Sequence, residues 1–208
     1  MKAFTAAVIR RILNRPALPV LLIILGVVAT GMAFAQAAPP ASIDGTVSAM
    51  TMSSLTLTAA DGSSKKVSLP KGILVLERTS AALTDIKKGD AMGVTAHRAE
   101  GGMLTATEIN IFSAELWKVV RKGQFPMQQA GQIMTNALVT SYAAKTDGHT
   151  LDMKYKDLST TIDVPDNTVI HRLLTKALAD VKQGMHILVR GSANPDGSFK
   201  AASVSFEG

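Results

Sequence analysis

The sequence predicts an all-β protein of two tandem small β-barrels behind an N-terminal signal helix, and three observations predict it. Residues 82–111 and 177–206 repeat one another in register at a constant offset of 95. Each copy breaks into short alternating apolar runs punctuated by Gly, Pro and Asp-Gly, the pattern of a sandwich or barrel. The first 35 residues stand apart in composition from everything after them.

That leader combines a basic start, an apolar run and a small-residue exit, the layout of an export signal. Lys2, Arg10, Arg11 and Arg15 supply the positive region; Ala17 to Ala35 carries no charge, and Ala33-Phe34-Ala35 has the small-x-small form of a cleavage site. The competing reading is an uncleaved anchor over residues 17–35, since 19 residues at about 1.5 Å each reach nearly the hydrocarbon thickness. Pro19, Gly26 and the Ala-x-Ala exit favour cleavage. The adjacent pair Arg10-Arg11 invites a twin-arginine reading, but no Ser or Thr immediately precedes it.

Without the leader, 22 − 4 = 18 basic residues face 16 acidic ones, so the net charge of +6 belongs mostly to the signal and gives no support for a nucleic-acid partner. There is no cysteine, so apolar burial alone must hold the exported fold.

In the first copy, Ile43-Asp44-Gly45-Thr46-Val47 opens a strand, Leu55 and Leu57 alternate with threonines, and Asp61-Gly62 turns the chain. Val67 and Leu69 alternate up to Pro70, Ile73 to Leu76 continues, and Ser80 to Asp85 reads as a single helical turn. Met92 to His97 and Leu104 to Phe112 close the copy, with Ile109 and Ile111 on one face and Glu108 and Asn110 on the other. The second copy repeats these parts, with Pro165 at the place of Pro70 and Gly197 at that of Gly102. Its opening strand, Met134 to Ala143, matches least.

These residues carry a resemblance. Gly45-Thr46-Val47, Leu55-Thr56-Leu57, Asp61-Gly62, Ala82-Leu83-Thr84-Asp85-Ile86-Lys87-Lys88-Gly89-Asp90 and Thr105-Ala106-Thr107-Glu108-Ile109 resemble the DUF5666 family of exported bacterial domains. The second copy is similar, with Leu151-Asp152-Met153-Lys154-Tyr155 and Asp196-Gly197-Ser198-Phe199, although Ala137-Leu138-Val139 stands for Gly-Thr-Val. The resemblance implies short OB-like barrels and supplies no catalytic residues. The expected organisation is a signal peptide (1–35), a short flexible leader (36–42), a first OB-like barrel (43–112), a linker (113–133) and a second OB-like barrel (134–208). The linker holds the lone Trp117 with Leu116, Val119, Val120 and Phe125, and is expected to pack between the barrels rather than expose that apolar surface or bind a partner.

Candidate chemistry is thin. His97, His149, His171 and His186 are scattered and read as surface residues. Met50 and Met52 sit two apart on an expected strand, which would aim two soft thioethers the same way and suit Cu(I); core filling is the bland account. Lys87-Lys88 and Lys118 to Lys122 read as solvated turns, because single-stranded nucleic acid would require exposed rings where core phenylalanines belong. Asp85 and Asp180 recur after Ala-Leu-x, where Asp commonly holds backbone amides. No nucleophile elbow, phosphate loop or His-Glu-x-x-His is present.

The expectation is therefore an exported, non-enzymatic envelope protein, a binding module for another protein or a cell-envelope component. No catalytic, cofactor or metal site and no nucleic-acid partner are expected, and membrane contact only through an uncleaved N-terminal segment. The alternative is a periplasmic copper-type carrier using Met and His ligands. Localisation is expected to be periplasmic or secreted, or the inner membrane if residues 17–35 anchor. Intact mass of the envelope-fraction protein should show a mature start at Gln36 or Ala38; a species retaining Met1 and staying with membranes through a high-salt wash would establish the anchor.

Overall fold

The computed structural model describes residues 40–208 except 100, 128 and 147. The expected signal helix, the alternative anchor and residues 36–39 of the leader lie outside the described residues. Alternation in the first copy becomes β1 (Pro40–Met50), β2 (Ser54–Thr58), β3 (Ser64–Ser68), β4 (Leu74–Ser80), β5 (Ala91–Arg98) and β6 (Leu104–Phe112). A short α1 (Ala114–Val119) and strand β7 (Gly123–Pro126) follow. The second copy supplies β8 (Gln132–Lys145), β9 (Gly148–Tyr155), β10 (Leu158–Val164), β11 (Val169–Lys176), β12 (His186–Ala193) and β13 (Phe199–Glu207). β1 starts at Pro40 rather than Ile43, because Pro40, Ala41 and Ser42 already pair with Ser192, Gly191 and Arg190 of β12. Among the described residues no helix is long and apolar enough to cross a membrane.

All thirteen strands join one sheet, and neither copy keeps its strands to itself. β1, β2 and β3 of the first copy are completed by β12 and β13 of the second: β1 pairs with β12, β12 with β13, and β13 returns to β3. Symmetrically, β8, β9 and β10 are completed by β5 and β6, with β10 returning to β6. The result is two closed circuits of five strands, each mixed from both copies. The cores follow the same division. One joins Val47, Leu55, Leu57 and Val67 to Ile187, Val189, Phe199 and Val204; the other joins Met92, Val94, Ile109 and Ile111 to Val139, Leu151, Met153 and Ile162.

The separate sheet per copy that the sequence suggests is thus replaced by an exchange, and the likeness of the copies is its physical reason. Where the first copy offers Leu55, Leu57 and Val67, the second offers Leu151, Met153 and Ile162, so either set fills the same face and exchange conserves the packing. The exchange also adds a ladder that self-contained copies would lack. β4 and β11 stay extended and cross antiparallel, from Val75 against Lys176 to Ser80 against His171.

Local devices recur in both halves. A bulge falls between Val47 and Ala49, and another between Val139 and Ser141. The skipped residues donate the same hydroxyl bond, Ser48 Oγ to the Thr56 carbonyl and Thr140 Oγ1 to that of Asp152, both at 3.1 Å. The opening strands therefore correspond despite their dissimilar sequence. One-turn 3-10 helices at Leu83–Asp85 and Leu178–Asp180 fall where a turn was expected, and Asp85 and Asp180 accept from the N–H of Ala82 and Ala177 at 2.8 and 2.9 Å.

The glycine turns fasten each copy to the other. Gly89 donates to the Val139 carbonyl at 2.9 Å, and Gly184 to the Val47 carbonyl at 2.8 Å. Both need the left-handed region, with φ of 95° and 86°. An added Cβ at Gly184 meets no atom within 4 Å, so the strain of Gly184→Val is confined to the backbone, about 1–3 kcal/mol. Because Gly184 holds β1 as well as β12, denaturant melts of Gly184→Val and Gly89→Val should each show one shared transition moved to lower denaturant. Two transitions with only one displaced would contradict the interlocked cores.

Candidate functional site: a valley over the strand crossing

The crossing ladder has a centre. Arg78 of β4 pairs with Leu173 of β11, and 173 − 78 = 95, so the two residues are repeat equivalents facing each other. The outer neighbours keep the relation: β13 lies parallel to β4 with Ser203 opposite Leu74, and β6 lies parallel to β11 with Glu108 opposite Val169. Backbone geometry is thus nearly two-fold about Arg78 and Leu173, whereas the side chains are not.

Arg78 gathers the charged groups of this centre. Its Nη2 lies 3.4 Å from Glu108 Oε1 and donates at 3.1 Å to Nδ1 of His171, whose ring nitrogen accepts. Its Nε lies 3.6 Å from Glu207 Oε1, and that nitrogen is buried without a hydrogen-bond partner among the described residues. Asn110 Nδ2 donates to Glu108 Oε1 at 3.0 Å, fixing the carboxylate from the other side. The Arg78 side chain is only 22 % exposed, so removing an acid partner would leave a partly desolvated charge.

Four hollows adjoin along this face. One of about 350 Å³ has Arg78, Glu108 and His171 at its base and Met127, Gln132 and Val169 on its rim. Met127 and Gln132 also line a larger open hollow of about 480 Å³, together with Phe125 and Pro126 of β7 and with Ala41, Ser42 and Arg190. Two smaller ones, of about 60 and 100 Å³, share Arg78 and Ser205. Together they form a valley with an ionic floor and an apolar wall. Such a surface can hold a ligand that offers both an apolar group and a charge.

Sequence reasoning missed this place. His171, expected on the surface, is part of the floor, at the position where the first half has Leu76. The exposed His186 contacts Asp44, His149 stacks on Tyr142, and His97 is half-buried on β5. Met50 and Met52 do not share a strand face: β1 ends at Met50, which packs on a core, and Met52 lies 90 % exposed in the turn. Thr51 makes that turn, its Oγ1 accepting from the N–H of Ser53 and Ser54. Among the described residues no three His, Asp or Glu side chains cluster as metal ligands do. Of the linker, Leu116 is buried and Trp117 stacks on Phe112 at 6.5 Å, while Val119 remains 67 % exposed. Its β7, a strand absent from the sequence reading, pairs with β8.

The strongest titration shift lies at Tyr142, which lines none of these hollows. Its hydroxyl is buried without a partner among the described residues, and burial, reinforced by the charge of Asp166, pushes its pKa up to about 12. A pKa raised above its unfolded value near 10 gives stability that is complete below about pH 10 and lost as pH rises towards about 12. Tyr142→Phe sacrifices no hydrogen bond among the described residues, so denaturant midpoints should match wild type near pH 8 and exceed it near pH 11. A wild-type midpoint with the same alkaline decline as the variant would contradict this.

No curated protein and no solved structure matches the chain. A family model described as Domain of unknown function (DUF5666) matches residues 138–205, from the middle of β8 to near the end of β13. The strands of that segment serve both circuits. The match supports the DUF5666 family for this part of the chain.

Proposed function

We propose that this is an exported, non-enzymatic envelope protein: two DUF5666-like, OB-like barrels that have exchanged strands and bind a protein or cell-envelope partner in the valley between them. One observation carries the reading, the junction of the 480 Å³ hollow walled by Phe125, Pro126 and Met127 with the ionic floor at Arg78. Apolar surface of this kind beside fixed charge is the composition of a recognition site. Near the floor, Ser205 Oγ donates to the Leu188 carbonyl at 3.3 Å, and among the described residues no base is hydrogen-bonded to it.

A photo-crosslinking residue at position 125 tests the proposal, with the same residue at exposed position 52 as control. Envelope proteins or wall fragments should be attached from position 125 and not from 52. Phe125→Asp should lower capture by a competing wild-type chain at least about tenfold. Equal adducts from both positions, or recovery only of cytoplasmic proteins, would overturn it.

A further inference from the structure

The two circuits differ in one respect that bears on what the valley accepts. The first half of β8 is paired on both sides: β5 lies along one edge, and β7 lies antiparallel along the other, Gly123 to Pro126 against Asn136 to Ile133. The bulges align Val139 with Val47, an offset of 139 − 47 = 92, so Ile133 to Asn136 correspond to Ala41 to Asp44 of β1. There β12 covers one edge, and among the described residues no strand covers the other.

The orientation of that edge follows from alternation. Val47 turns its N–H to the Met185 carbonyl and its C=O to the Gly184 N–H, both on the side of β12. Successive residues of a strand point their backbone groups to opposite sides. Ser42 and Asp44 therefore present N–H and C=O away from β12, as Met134 and Asn136 do towards β7. The 480 Å³ hollow lies beside this edge, between Ala41 and Ser42 on one side and Phe125 and Pro126 on the other.

We propose that the outer edge of β1 takes a short extended polypeptide carrying acidic side chains as an added antiparallel strand. The inference rests on the valley as a binding face and names its partner. A row of alternating donors and acceptors at strand spacing matches a peptide backbone and not a sugar chain. β7 shows the occupant that the corresponding edge holds: four extended residues, antiparallel, with an aromatic ring. Charge completes the description. Arg190 faces Ser42 across the ladder, is exposed, and has no carboxylate within 4 Å among the described residues, whereas Asp44 is already met by His186. A carboxylate of the added strand supplies the partner of Arg190.

The test uses residues 38–208 and the acetylated, amidated hexapeptide Glu-Val-Glu-Val-Glu-Val, followed by amide hydrogen exchange. Peptide should slow exchange at Ser42 and Asp44. Arg190→Glu, or lysine for glutamate in the peptide, should weaken binding about tenfold, and N-methylation of alternate peptide nitrogens should abolish it in one phase of the alternation only. Unprotected Ser42 and Asp44 despite adducts from position 125 would overturn the added strand and leave the binding face standing. Neither protection nor adducts would remove both. Ser42 and Asp44 already protected in the chain from Met1 without peptide would show that the protein's own N-terminal segment fills the edge, which also overturns the proposal.

Discussion

The antiparallel ladder between β4 and β11 is the constraint on which the other features depend. A strand that turned back after Leu74 would return β5 and β6 to the strands that precede them. A strand that stays extended carries the chain into the other half, and its partner must then do the same, because the edge of β4 from Val75 to Ser80 would otherwise expose its N–H and C=O groups. Reciprocal crossing satisfies both at once. The parallel pairings of β4 with β13 and of β11 with β6 extend the same ladder on either side, so the sheet is continuous through the point where the copies exchange.

The valley is a product of that crossing. Residues brought to its floor come from four strands and both copies: Arg78 from β4, Glu108 and Asn110 from β6, His171 from β11, and Glu207 from β13. In a self-contained arrangement they would have no reason to meet. The ladder gives the backbone near-symmetry, and positions 95 residues apart that carry unlike side chains give the floor its chemistry: Arg78 against Leu173, His171 against Leu76 and Glu108 against Ser203. β7 breaks the symmetry further by filling one edge of a matched pair.

Much of the secondary structure was legible in the sequence. Alternation placed Leu55 and Leu57, and Ile109 and Ile111, on the buried faces of their strands, and the recurring Ala-Leu-x-Asp marked the two 3-10 turns. Partner choice was not legible. Periodicity states which side of a strand is apolar but not which apolar face it meets, and two similar copies offer similar faces. The site was hidden for the same reason. Arg78 and His171 are 93 residues apart and read as isolated polar positions until β4 and β11 are known to be neighbours. β7 escaped notice because Gly-Gln-Phe-Pro has no alternation to read and owes its extended form to the edge of β8.

The interleaving of the copies also sets the order in which the protein can acquire structure. Ala41 waits for Gly191, 150 residues further on, and Val67 waits for Phe199. During synthesis, β1, β2 and β3 emerge first and remain without their closing strands until β12 and β13, the last described strands, are available. Non-local closure of this kind is slow, since the entropy of a long loop is lost before any contact rewards it. A chain shortened by its final strand thus loses the core of its opening strands, while the core that appears central in the sequence, from β5 to β10, keeps all its parts.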